Sequence, residues 1–139
     1  MTKKLPLPVG NTNYKEICRE SYYIDKTLLV KELLDEKNKI ILFTRPRRFG
    51  KTLNMDMLRT FFEKTAEATS EYFTDKKIWQ QGEEYINHQG KYPVIFLSLK
   101  GVDGLTYDKA KKMLAEIIKE EADRHYYLKN SEKLTQEDR

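Results

Sequence analysis

The most constraining stretch of this sequence is a short apolar run that leads straight into a basic glycine loop. Ile40-Ile41-Leu42-Phe43 is apolar throughout, with Lys37-Asn38-Lys39 before it and Thr44-Arg45-Pro46 after it. A run of that length suits a strand buried on both faces of a parallel sheet. Behind the loop, Leu53, Met57, Leu58, Phe61 and Phe62 recur at helical spacing, with Asp56, Arg59 and Glu63 between them. A second strand is expected at Pro93-Val94-Ile95-Phe96-Leu97-Ser98-Leu99, followed by a turn at Gly101 and Gly104. Thr106 can cap a helix from Tyr107 to about Arg124, with Leu114, Ile117 and Ile118 on its apolar side.

Strand, helix, strand, helix implies an α/β fold with parallel strands and crossover helices. What precedes it reads as an arm and helices. Residues 1–13 contain Pro6, Pro8 and Gly10 and are expected to be extended. Asn13 with Glu16 three residues on resembles a capping box opening a helix at Tyr14. Asp25 is a candidate N-cap before Leu28, Leu29, Leu33 and Leu34, whose spacing suits one buried face. Between the two expected strands, Tyr72, Phe73, Ile78 and Trp79 are the anchors of short turns or helices. Residues 129–139 form a polar tail without a closing signal.

The loop itself reads Thr44-Arg45-Pro46-Arg47-Arg48-Phe49-Gly50-Lys51-Thr52. In a strand-to-helix setting this is the context of a Walker A-type phosphate-binding loop, and hence of a partial P-loop NTPase core. Unpaired N–H groups at a helix N-terminus, aided by the helix dipole, attract anions. On this reading Pro46, Arg47, Arg48, Phe49, Gly50, Lys51 and Thr52 surround the phosphates. Gly50 admits the phosphate closely, Lys51 is the catalytic candidate set against the terminal phosphates, and Thr52 offers its hydroxyl to Mg²⁺. The general motif asks for glycine five residues before Gly50, where this chain has Arg45. Charge distribution supports an anionic partner: residues 1–52 hold 12 Lys/Arg against 6 Asp/Glu, a net of +6, while the remainder carries −2.

Three blocks, Tyr23-Ile24-Asp25-Lys26-Thr27, then Phe43 through Thr52, then Tyr92-Pro93-Val94-Ile95, resemble the N-terminal part of the predicted AAA-ATPase-like family of bacterial proteins. That family's loop typically reads R-P-R-R-F-G-K-[ST], so the resemblance makes Arg45 a family feature. It implies ATP and Mg²⁺ as cofactors, and an AAA-like ATPase core often joined to a C-terminal nuclease-like domain of the restriction-endonuclease fold. No residue here corresponds to the nuclease part, and no nuclease activity is carried over. The resemblance also puts Asp25-Lys26-Thr27 near the nucleotide's base and sugar, beside the N-cap role that the local sequence offers Asp25.

Hydrolysis needs an acidic residue at the end of a second strand. The expected second strand ends in Ser98-Leu99-Lys100-Gly101, and Asp103 reads as a turn residue. By the resemblance the acidic strand lies further along, so residues 1–139 are expected to be an N-terminal fragment. Such a fragment would bind nucleotide, hydrolyse it poorly or not at all, and tend to self-associate where the missing C-terminal part belongs. An alternative from a different class is a nucleic-acid-binding module that sets Arg45, Arg47 and Arg48 against backbone phosphates. A small P-loop kinase would need lid arginines late in the chain, where only Arg124 and Arg139 occur. No apolar run approaches the roughly 20 residues of a membrane span. The lone Cys18 reads as a partly buried apolar residue in a chain of the reducing cytoplasm.

Overall fold

In the computed structural model, which describes residues 4–137, contacts divide the chain into two units, Met1–Val94 and Ile95–Arg139. The first unit contains helices α1 (Tyr14–Glu20), α2 (Leu28–Glu36), α3 (Lys51–Phe62) and the single-turn α4 (Glu83–Ile86), with 3-10 turns at Ser70–Tyr72 and Lys77–Gln81. The starts of α1 and α2 follow from local signals. The Asn13 side chain accepts the Glu16 amide at 3.2 Å and opens α1. Before α2, Asp25 Oδ1 accepts both the Thr27 amide (2.9 Å) and the Thr27 hydroxyl (2.7 Å), while Thr27 itself occupies the cap position. The expected cap therefore acts from two residues further out. Lys37, in the left-handed region with φ 51°, ends α2 at the Lys-Asn-Lys break. Residues 4–8 have no regular structure, and the Tyr22 amide ties them down by donating to the Pro6 carbonyl at 2.9 Å. Residues 1–3 of the expected arm and 138–139 of the polar tail lie outside the described residues.

The core of this unit is aromatic. Tyr14 stacks on Phe73 at 5.1 Å, and Phe61 meets the same ring edge-on at 5.1 Å; such pairs add to the burial of their large apolar area. Val30, Met57 and Ile78 fill the space around them, fully buried. The expected stripe of α3 thus faces inward, with Met57 and Phe61 at its centre and Leu53, Leu58 and Phe62 at its margin. Two polar ties cross the core. Asp56, buried on α3, accepts the Tyr14 amide at 2.8 Å and pairs with Arg59. Asp25 and Thr27 cap the Lys77–Gln81 turn: the Lys77 amide donates to Asp25 Oδ2 (2.8 Å) and the Ile78 amide to the buried Thr27 hydroxyl (3.2 Å). Cys18 is half-buried against the core, as the sequence suggested, and burial pushes its thiol above the usual range.

The expected α/β architecture is not what the chain adopts. Among the described residues there is no strand and no sheet; the ladder is reduced to one isolated parallel bridge between Glu63 and Tyr92. Residues 40–43 and 93–99, expected to be parallel strands of a P-loop core, carry no regular secondary structure. The physical reason is partnership: a strand exists only where a neighbouring backbone completes its hydrogen bonds. The Phe96 amide, for one, goes to the Glu121 carboxylate instead. Nor are the two runs buried on both faces. Ile40 is 89% exposed, Leu42 83% and Ile95 74%, with Ile41, Phe43, Val94 and Phe96 half-buried between them.

In the second unit Thr106 caps α5 (Tyr107–Arg124), accepting the Lys109 amide at 3.4 Å, and a 3-10 turn follows at Tyr126–Asn130. No residue of α5 is buried; Leu114 and Ile118 of its expected apolar side are exposed, and Ile117 is half-buried. Glu121 ties α5 to residue 96: it accepts the Phe96 amide at 2.8 Å and the Arg124 guanidinium at 2.6 and 2.9 Å.

Two outcomes follow from these ties. Replacing Thr27 by the near-isosteric Val leaves the Ile78 amide without its acceptor, and denaturant unfolding should show a loss of roughly 1–3 kcal/mol. The Arg124 guanidinium beside Glu121, with help from the Phe96 amide, holds its carboxyl at about 2. A folded-state value below the unfolded one contributes stability above the ordinary carboxylate range, and that stability is lost as pH falls from about 4.3 toward 2. Helicity of α5 followed by circular dichroism should drop across that window in the wild type and stay flat in Glu121→Gln.

Candidate functional site

The loop that the sequence singles out lies at the N-terminus of α3, and its backbone is unusual. Arg48 has φ 68° and Gly50 φ 75°, so two left-handed residues flank Phe49. A non-glycine residue in that region costs on the order of 1 kcal/mol, and such strain concentrates at functional segments. Turns of mixed handedness gather successive N–H groups into anion-binding concavities. The amide of Asn54 closes the first helical bond on the Gly50 carbonyl at 2.9 Å, and no side chain caps the first turn of α3. The free N–H groups of that turn and the positive end of the helix dipole thus face outward at Lys51 and Thr52.

Lys51 is exposed, and its ammonium reaches back along the loop to donate to the Arg45 carbonyl at 2.6 Å. That bond joins the two ends of the basic segment into a closed loop. An ammonium carries three protons, and two remain for another acceptor. Pro46, Arg47, Arg48 and Thr52 are exposed, Phe49 is 58% exposed, and Gly50 is half-buried. Among the described residues neither Arg45, Arg47, Arg48 nor Lys51 forms an ion pair. Elsewhere the chain pairs Lys31 with Asp35, Arg59 with Asp56, Lys76 with Asp75 and Arg124 with Glu121.

Two hollows adjoin the loop. One, of about 280 Å³, is walled by Leu29, Phe43, Met55 and Leu58 and carries Lys26, Glu32, Arg45 and Lys51 on its polar side. The other, of about 310 Å³, is walled by Leu7, Tyr22, Ile24 and Leu53 and carries Lys26 and Arg48. Phe49, Asn54 and Lys26 line both. The charged side chains sum to +2 in each, since Glu32 is the one carboxylate lining either. The sequence reading did not single out Asn54, yet its place four residues after Gly50 on one helical face was a usable signal.

Asp25 and Thr27 are occupied elsewhere. Burial pushes the Asp25 carboxyl up, but the Thr27 hydroxyl and the Lys77 and Thr27 amides outweigh it and hold the group below its ordinary range. Both residues serve the fold, and of the Asp-Lys-Thr triplet Lys26 alone lines the hollows.

Fold and site together define a helical module that presents an unpaired basic loop at a helix N-terminus. The sequence matches the family described as predicted AAA-ATPase over residues 8–139. The chain belongs to that family, whose description is consistent with nucleotide binding in general. No curated protein and no solved structure matches it. Among the described residues no helix is long and apolar enough to cross a membrane.

Gly50 has open space where a Cβ would sit, with its nearest neighbour, the Asn54 side-chain nitrogen Nδ2, at 4.0 Å. The cost of Gly50→Ala is then confined to the left-handed backbone. Chemical denaturation should report a loss of about 1 kcal/mol, with no cavity or clash to add to it.

Proposed function

We infer that this chain binds a nucleoside triphosphate, ATP in the first instance, through residues 45–52 acting as a Walker A-type loop at the start of α3. The observation that carries this reading is the group of four unpaired cations, Arg45, Arg47, Arg48 and Lys51, gathered around a backbone with left-handed turns at Arg48 and Gly50. Like charges crowded into one turn repel each other, and a polyphosphate relieves that repulsion while satisfying the free amides of the helix start. Family membership supports the same reading.

In this arrangement the phosphates sit against the amides of Lys51 and Thr52, and the two spare protons of the Lys51 ammonium donate to the terminal phosphate oxygens. Arg47 and Arg48 supply further charge from the loop. The Thr52 hydroxyl, exposed on the first turn of α3, is the group that would share a Mg²⁺ with the phosphates; that ion keeps several waters and needs few protein ligands. When bound, Mg²⁺ neutralises phosphate charge. We place the chain in the cytoplasm, where ATP is abundant and a lone Cys18 stays reduced.

Fluorescence titration with a labelled ATP tests the assignment. Lys51→Ala should weaken binding on the order of a hundredfold, as loss of a charge-assisted contact does, with little change in thermal midpoint because Lys51 is exposed. Absence of ATP binding by the wild type would overturn the reading. So would strongly salt-dependent duplex DNA binding that persists in Lys51→Ala while ATP binding is missing.

A further inference from the structure

We propose that Lys26 is a second phosphate-contacting lysine, held opposite the basic loop by the two residues that flank it. The inference rests on the nucleotide reading above and adds to it a residue that lies outside the loop.

Hydrogen bonds made by both neighbours anchor the backbone at position 26. On one side Asp25 accepts the Thr27 hydroxyl and the Lys77 amide; on the other the fully buried Thr27 accepts the Ile78 amide. The Lys26 amide itself donates to the Tyr23 hydroxyl at 3.3 Å. The main chain is thus pinned on both sides of a side chain that makes no hydrogen bond or ion pair of its own among the described residues. A pinned backbone under a free ammonium reduces the ordering needed when a ligand arrives.

The two hollows that Phe49 lines share Lys26 on their lining. In one it stands with Arg45 and Lys51, in the other with Arg48. Without Lys26 the charges lining each hollow would fall from +2 to +1. Glu32, on the first hollow, does not pair with it. Cations that converge from the loop and from the start of α2 suit a chain of phosphates, whose charge is spread over several oxygens, better than a single carboxylate. The chemical class is therefore a di- or triphosphate, and the lysine contacts the phosphate chain, not the base.

The test uses the whole 139-residue chain, with Lys26→Gln, Lys26→Arg and Lys51→Ala compared in two titrations: labelled ATP directly, and inorganic tripolyphosphate competing against it. Lys26→Gln is expected to weaken both ligands about tenfold, Lys26→Arg to stay within about twofold of wild type, and neither to move the thermal midpoint. Equal ATP affinity in Lys26→Gln and wild type, with Lys51→Ala impaired, overturns the role of Lys26 and leaves the loop reading intact. A loss confined to ATP and absent for tripolyphosphate overturns the phosphate contact. A wild type that binds neither ligand overturns the nucleotide reading and this inference with it. A lowered midpoint in Lys26→Gln, with binding restored at lower temperature, would make Lys26 structural and also overturn the proposal.

Discussion

The structure of the first unit depends on how two side chains, Asp25 and Thr27, dispose of four backbone and hydroxyl donors. A short helix start leaves N–H groups without partners, and this unit has two such starts side by side, α2 and the Lys77–Gln81 turn. One carboxylate and one buried hydroxyl serve both, because Asp25 divides its oxygens between Thr27 and Lys77 and Thr27 passes its own acceptor to Ile78. Burial alone would make a charged Asp25 costly. The donors around it reverse that, and the carboxyl remains below its ordinary range. The aromatic core of Tyr14, Phe61 and Phe73 can then close against a segment whose polar ends are already satisfied.

α3 links that core to the loop. Its inward face is fixed by Met57 and Phe61, and Asp56 on the same helix holds the start of α1 through the Tyr14 amide. With the body of α3 so constrained, its N-terminus cannot turn inward to bury its free amides, and the residues before it must approach from outside. Left-handed conformations at Arg48 and Gly50 accomplish the reversal, and the Lys51–Arg45 bond closes it. Glycine explains only one of those two positions. At Arg48 a side chain with no intrinsic preference for that backbone is held there, and the bond from Lys51 is the visible restraint.

Helices were legible in the sequence where their caps and stripes were local. Asn13 and Thr106 cap α1 and α5, Lys37 ends α2, and the spacing of Met57 and Phe61 gave the buried face of α3. The lack of strands was not legible, because an apolar run such as Ile40-Ile41-Leu42-Phe43 records hydrophobicity and says nothing about whether a neighbouring backbone is present to pair with it. Alternate half-burial of Ile41 and Phe43 shows the period of two without the ladder. At the loop, composition and order placed the basic residues correctly at a helix start, whereas the left-handed Arg48 and the approach of Lys26 depend on tertiary ties that no local window contains.

The contrast between paired and unpaired cations bears on what the loop is for. Exposed ion pairs contribute little to stability, typically below about 1 kcal/mol, so stability alone gives little reason to pair the lysines and arginines of the helices or to leave those of the loop bare. Yet partners stand beside the former, as Asp35 does one turn from Lys31 and Glu121 three residues from Arg124. No carboxylate occurs from residue 37 to residue 55, a stretch that holds six Lys or Arg. A solvated basic face would tolerate interspersed acids without penalty. A site whose counter-ion comes from outside would not, because each internal carboxylate would compete with the ligand for the same cations. Glu32, the one acid on either hollow, is contributed by α2 from outside this stretch and has no ion pair with the loop, so the charged side chains that line each hollow still sum to +2.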